Sequence, residues 1–204
     1  MGIKKKENEQ KVKKIKKFKI KINPWFVEQK LKSQSLEQTS PEIKKIIGEK
    51  IQEVENLLLP ATVYETFKPE EVLPLVASVE LEPSLKDCIA LSLFVVTLGG
   101  ELKFKEEISY PHIYQAVIQS AAEQAARFVY RLINEEAKKE NHILGPRIDI
   151  SSEKEVGKTL ELLDAGRIGV ILNDNFKIQL SMRVGLIPWL IKRRRKEKSE
   201  NRSG

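Results

Sequence analysis

The sequence predicts an α+β fold, with a twisted, mainly antiparallel sheet and helices packed on it. Three observations carry this expectation. "SPEIKKIIGEKIQEVENLL" and residues 111–140 repeat apolar residues at helical spacing. "FKIKI" and "FKIQLSMRVGLI" alternate apolar with polar residues, the period of a half-buried strand. The strand-like and helix-like segments are segregated along the chain.

Composition bounds what such a fold can do. The chain has 204 residues, 41% of them hydrophobic, enough for one domain with a sizeable core. No stretch approaches the roughly 18 apolar residues that cross a bilayer, and "MGIKKKENEQ" lacks the apolar run of a secretion signal. A cytoplasmic location without membrane attachment is therefore expected. A single cysteine, Cys88, excludes an internal disulfide, and with only His112 and His142 beside it no zinc-spaced cluster forms, so no metal site is expected.

The net charge of +7 is unevenly distributed. Residues 1–22 carry ten lysines against two glutamates, and residues 192–204 carry seven Lys or Arg against two glutamates. The ends thus contribute about +8 and +5, which leaves the body near −6. The domain organisation read from this is a basic flexible tail at 1–17, an α+β domain at 18–191 and a second basic tail at 192–204. Neither tail interleaves aromatic residues with its charges, so nucleic-acid recognition is not expected.

Along the body, Phe18, Ile20 and Ile22 mark the first strand. Ser40 is placed to cap the next helix, with Pro41 at its first position and Glu42 in its first turn. Ile43, Ile46, Ile47, Ile51, Val54, Leu57 and Leu58 form that helix's apolar stripe. "ATVYETFKPEEVLPLVASVELEP" reads as short strands with proline turns, and "SLKDCIALSLFVVTLGG" as a short helix through Cys88 to Leu91 followed by a buried strand. Gly99-Gly100 ends it in a tight turn towards a helix; without the Lys-Ser/Thr of a P-loop the pair is not read as a phosphate cradle.

Pro111 opens a long helix whose buried stripe is Ile113, Val117, Ala121, Ala125, Phe128 and Leu132. Glu123 and Arg127 point away from that stripe at the spacing of a surface ion pair. A loop, "HILGPRIDISS", leads to a helix over "EKEVGKTLELLDAG" with Gly166 as its end cap. "RIGVIL", a turn "NDN" and "FKIQLSMRVGLI" complete a hairpin. Its second arm sets Phe176, Ile178, Leu180, Met182, Val184 and Leu186 on the helix-packed face, and Lys177, Gln179, Ser181 and Arg183 on a face left for solvent or a partner.

No catalytic constellation is legible. There is no Gly-x-Ser-x-Gly elbow, and Cys88 sits in an apolar run without a base, as a core thiol does.

Taken in order, "LKDCIALSLFVVTLGGEL", "IYQAVIQSAAEQAARFVYRLINE" and "SSEKEVGKTLELLDAGRIGVILNDNF" resemble the activation domain of cobalamin-dependent methionine synthase in its stand-alone form. The resemblance spans about residues 18–187. It implies an activation-domain-like α+β fold that binds S-adenosylmethionine and supports reductive remethylation of cobalamin carried by a separate methionine synthase. The electron would come from a flavodoxin-like or ferredoxin-like donor. An Arg from the loop after the long helix and a Glu from that helix hold the ligand's methionyl end in the family; the matching residues are Arg147 and Glu123. Asp149, Ser151 and Ser152 fall in the same loop and complete the candidate site. A zwitterion fits such a pair, since its carboxylate calls for a guanidinium and its ammonium for a carboxylate.

The chain departs from the family where the ligand would lie. The family loop, Arg-x-x-x-Gly-Tyr with a proline before the glycine, is "RIDISS" here: Ser151 and Ser152 replace Gly-Tyr, and Ile150 replaces the proline. A later proline and Ser-Val-Ser-Gly segment is "LSMRVGLI". Two alternatives follow: Arg147 pairs with Asp149 or Glu153 at a helix start, and the protein is a non-catalytic scaffold or protein-binding module that kept the fold and lost the ligand.

Overall fold

The computed structural model describes residues 12–33, 40–76, 83–99, 102, 110–170 and 181–192. Six strands form one sheet: β1 (Lys13–Lys16), β2 (Ala61–Phe67), β3 (Cys88–Thr97), β4 (His142–Leu144), β5 (Ile148–Asp149) and β6 (Met182–Ile191). Their order is β1-β2-β3-β6-β4, with β5 also pairing with β6. Every pairing is antiparallel. The helices are α1 (Pro24–Ser33), α2 (Pro41–Leu57), α3 (Pro69–Val72), α4 (Pro111–Lys139) and α5 (Glu153–Leu162). No described helix is long and apolar enough to cross a membrane.

The period-2 geometry of the strands divides the core in two. Tyr64, Phe94, Val96, Ile187 and Trp189 point to one face and pack with α1, α2 and α4. Val63, Leu91, Leu93, Val95, Val184 and Leu186 point to the other and pack with α3, α5 and the turn after it. The expectation that one face of the last strand stays open is thus corrected, because Ile187 and Trp189 are buried under α4. Two-sided burial is why "LSLFVV" reads as a continuous apolar run instead of alternating.

Ser40 caps α2 as expected, its Oγ accepting the Ile43 N–H at 3.3 Å. Elsewhere the elements shift. The first strand is Lys13–Lys16, inside the segment read as a tail, and not Phe18–Ile22. Clean alternation begins only at Phe18, after the Lys16-Lys17 pair, so it marks the segment that follows the strand and leaves Lys13–Lys16, with Ile15 as its one apolar residue, unmarked. Lys17, at φ 59°, stops the pairing, its N–H bonded to the Pro60 carbonyl at 2.8 Å. The chain then leaves the sheet, stacks Phe18 on Phe128 at 4.2 Å and donates the Ile22 N–H to Glu55 at 2.7 Å.

Cys88–Leu91 is strand and not helix, since β6 pairs along the whole of β3. Pro69 opens the helical turn α3 where a strand turn was expected. Gly166 does not cap α5: the helix ends at Leu162, and Asp164 takes the left-handed conformation at φ 47°. The expected strand "RIGVIL" begins as a 3-10 turn over Ala165–Ile168. Ile171 and Leu172 of that arm, the "NDN" turn, and Phe176, Lys177, Ile178, Gln179 and Leu180 lie outside the described residues, as do most residues between Gly99 and α4.

Polar groups inside the sheet are mostly paired. Trp189 Nε1 donates to Ser92 Oγ at 2.7 Å, and Ser92 shares a second 2.7 Å bond with Thr66. Among the described residues, Glu65 and the His142 Nδ1 of β4 are exceptions. Glu65 is buried, Oε1 accepts the Thr66 N–H at 2.9 Å, and Oε2 has no partner among the described residues. Burial pushes its carboxyl up despite the Thr66 N–H. A carboxyl raised in the folded state favours folding while protonated and loses that benefit as pH rises from the unfolded value through the folded one. Glu65→Gln is therefore expected to raise Tm at pH 7 by about 2–4 °C, roughly 1 kcal/mol, and to match the parent protein near pH 4. Thermal melts at the two pH values check it.

Candidate functional site

Pro111 starts α4, and a stripe of small residues lets this 29-residue helix lie close to its neighbours: Ala116, Ala121, Ala122, Ala125 and Ala126 are all fully buried. Glu123 stands at the shoulder of that stripe, partly buried. The chain returns after α4 through β4 and Gly145-Pro146-Arg147 into β5. Two bonds fix the return: the Gly145 N–H donates to the Pro188 carbonyl at 2.8 Å, and the Tyr130 hydroxyl of α4 donates to the Gly145 carbonyl at 3.2 Å.

This brings Arg147 onto Glu123. Nη1 donates to Oε1 at 3.1 Å and Nη2 to Oε2 at 2.8 Å, the two parallel bonds of a fork-to-fork pair. The other edge of the guanidinium faces Asp149, with Nε at 2.9 Å from Oδ1 and Nη2 at 3.2 Å from Oδ2. Arg127, one turn along α4 from Glu123, places Nε 3.3 Å from Oε1 and lays its guanidinium 4.4 Å over the Phe26 ring. Arg183 of β6 lies close enough for its charge to be felt by Asp149 and Glu123.

The charges reinforce one another. Burial opposes ionisation of Glu123, but hydrogen bonds from Arg147 and then Arg127 outweigh it and hold the carboxyl below its ordinary value. Burial also opposes the charge on Arg147, and the Glu123 and Asp149 carboxylates more than restore it. Burial lowers Arg183. A cleft of about 620 Å³ opens beside the cluster, lined also by Gln124, Tyr130, Arg131 and Pro146. Four guanidiniums, those of Arg127, Arg131, Arg147 and Arg183, stand in or near it against two carboxylates. The excess positive charge suits a ligand that brings a carboxylate.

Glu123, Arg147 and Asp149 are thus assembled, whereas Ser151 and Ser152 are not. Ile150, between them and Asp149, turns into the core on the α5 side and donates its N–H to Val184 at 3.0 Å. Ser151 is exposed. Ser152 is the N-cap of α5, and its side chain makes no cap bond. Arg127 was legible only as a surface partner of Glu123. Arg183 was assigned to an open face, although its alternation with Met182 and Val184 already set it on the side that α4 covers.

Cys88 donates its thiol to the Leu85 carbonyl at 3.1 Å, and burial pushes that thiol up, away from the thiolate a nucleophile needs. Among the described residues, no group of three His, Cys, Asp or Glu is placed to hold a metal ion. No known family model matches the chain, and no curated protein matches it at a significant level.

Proposed function

We propose that this protein binds S-adenosylmethionine at Glu123, Arg147 and Asp149, and that it supports reductive remethylation of cobalamin carried by a separate cobalamin-dependent methionine synthase. One observation supports the reading most directly: a guanidinium and a carboxylate 24 residues apart meet as a bidentate pair on the wall of a cleft. Both groups recognise the two charges of an α-amino acid. A ligand carboxylate takes an edge of Arg147 or the nearby Arg127, and its ammonium takes the oxygens released on Glu123 or Asp149. Each charge then exchanges one partner for another, so the site opens without leaving an ion bare.

In this role S-adenosylmethionine supplies the methyl group, and a flavodoxin-like or ferredoxin-like donor supplies the electron that cobalamin needs to accept it. The chain's own residues hold and orient the ligand and provide no acid or base for the transfer.

A second reading, a non-catalytic scaffold or protein-binding module, rests on the same guanidinium. Both edges of Arg147 are already engaged by carboxylates of its own chain, and Ser152 begins a helix where the family has an aromatic wall. Isothermal titration with S-adenosylmethionine separates the two. The first reading expects micromolar binding that weakens at least about tenfold, or 1.4 kcal/mol, in both Glu123→Ala and Arg147→Ala. No heat and no thermal shift at millimolar ligand would leave the scaffold.

A further inference from the structure

A second cleft, of about 390 Å³, lies where four strands end together. Lys16, Ala61, Thr97 and Met182 stand in register across β1, β2, β3 and β6. Ala61 is the small member of the row, and its methyl leaves a hollow between Lys16 and Thr97. Ile168 and Gly169 of the turn after α5 wall it, and Lys17, Gly99 and Ser181 complete the rim.

The donors around this hollow share one chemistry. Among the described residues neither Lys16 nor Lys17 pairs with a carboxylate. Thr97 Oγ1 accepts the Gly99 N–H at 3.2 Å, which leaves its own hydrogen to donate outward. Partial desolvation, then the Lys16 and Arg167 charges, lower the Lys14 ammonium. Asp164, 3.9 Å from Arg167, is the acid nearby. Lysines on an edge strand also discourage edge-to-edge pairing, but that purpose needs neither the hollow nor the hydroxyls. Lys13 shows the contrast: on the opposite face of β1 it is spent on Glu136 at 2.6 Å and on the Tyr64 ring. The Gly99 turn, which lacks the lysine of a P-loop in its own segment, lines the same cleft as Lys16 at the end of β1 and Lys17 just after it.

We propose that this hollow binds a phosphate group, free or as the monoester of a small molecule, through the Lys16 and Lys17 ammoniums and the Thr97 hydroxyl, with Lys14 and Arg167 supplying the surrounding positive field. The site lies on the α5 side of the sheet and does not rest on the S-adenosylmethionine reading.

Titration of the full chain with inorganic phosphate and with glycerol phosphate, at ionic strength held constant with chloride, tests it. Submillimolar binding of at least one is expected, about tenfold weaker in Lys16→Gln and weaker again when Lys17→Gly is added; glycine suits the left-handed backbone there. Tighter inorganic phosphate binding identifies the free ion as the ligand, tighter glycerol phosphate binding identifies an ester, and equal affinities show a site that reads the phosphate group alone. Ala61→Val, checked for an unchanged circular dichroism spectrum, is expected to block both by filling the hollow. No binding, or binding indifferent to Lys16→Gln, overturns the proposal. So does a single-stranded oligonucleotide that binds far more tightly than either phosphate with a steep salt dependence, which marks a polyanion surface.

Discussion

Arg147→Ala is expected to cost about 2 kcal/mol of stability at pH 7, a fall of roughly 4–8 °C in Tm, and to abolish S-adenosylmethionine binding. Removing one partner of a fully buried pair costs about 3–5 kcal/mol, because the remaining charge is stranded. Here Arg147 is 18% exposed, Glu123 26% and Asp149 48%, so water repays part of that cost. Two carboxylates would be left side by side, with Arg127 the nearest direct partner of one of them.

The pH dependence gives this prediction a second handle. The Glu123 carboxyl is depressed in the folded state, so its contribution is complete above the unfolded carboxylate value and fades as pH falls through the folded one. Arg147→Ala deletes most of it. The gap between variant and parent should therefore be wide at pH 7 and narrow below about pH 4. Urea melts at the two pH values measure it; a gap that does not change would show that the pair holds nothing together.

Gly185→Ala is expected to be at least as damaging, about 2–3 kcal/mol. A Cβ at this position would stand 2.7 Å from the Ile148 carbonyl oxygen and 2.9 Å from the fully buried Phe94 ring. Neither neighbour yields cheaply, since one is backbone and the other is held in the core. The easier accommodation is for β5 to lift away from β6. Ile148 lies between Arg147 and Asp149, so lifting it moves both side chains off Glu123. The variant should lose ligand affinity as well as stability, whereas a core substitution distant from β5 should lose stability alone. A loss below about 0.5 kcal/mol in chemical denaturation would contradict this account.

Local patterns made part of this architecture legible. Ser40-Pro41 marked the start of α2, and the apolar spacing from Ile113 onward marked α4, because caps and helical periodicity are written within one or two turns. The same patterns could not place β1, whose one apolar residue is Ile15, because clean Lys-apolar alternation starts only at Phe18, after the last paired residue. They also missed the burial of Ile187 and Trp189, which depends on a helix tens of residues away. At the site, Glu123 and Arg127 were legible as an i,i+4 pair, and Asp149 as a near neighbour of Arg147. The contact between Glu123 and Arg147 spans a helix end, a strand and a turn. The resemblance implied one ligand between the two and not a bond from one to the other, and composition and periodicity carried no trace of that bond.

The position of β6 has a consequence for how the chain reaches this state. The final strand is inserted between β3 and β4, so Cys88 waits for Leu190 and Thr97 for Met182 before the sheet can close. Contacts so distant in sequence form late and slowly. Until they form, β3 presents an unpaired edge carrying Leu91, Leu93 and Val95 to the solvent, the sort of edge that recruits a strand from another molecule. The growing chain is therefore most prone to aggregate after β3 has emerged and before residues 182–191 arrive, a window in which chaperone capture would matter most.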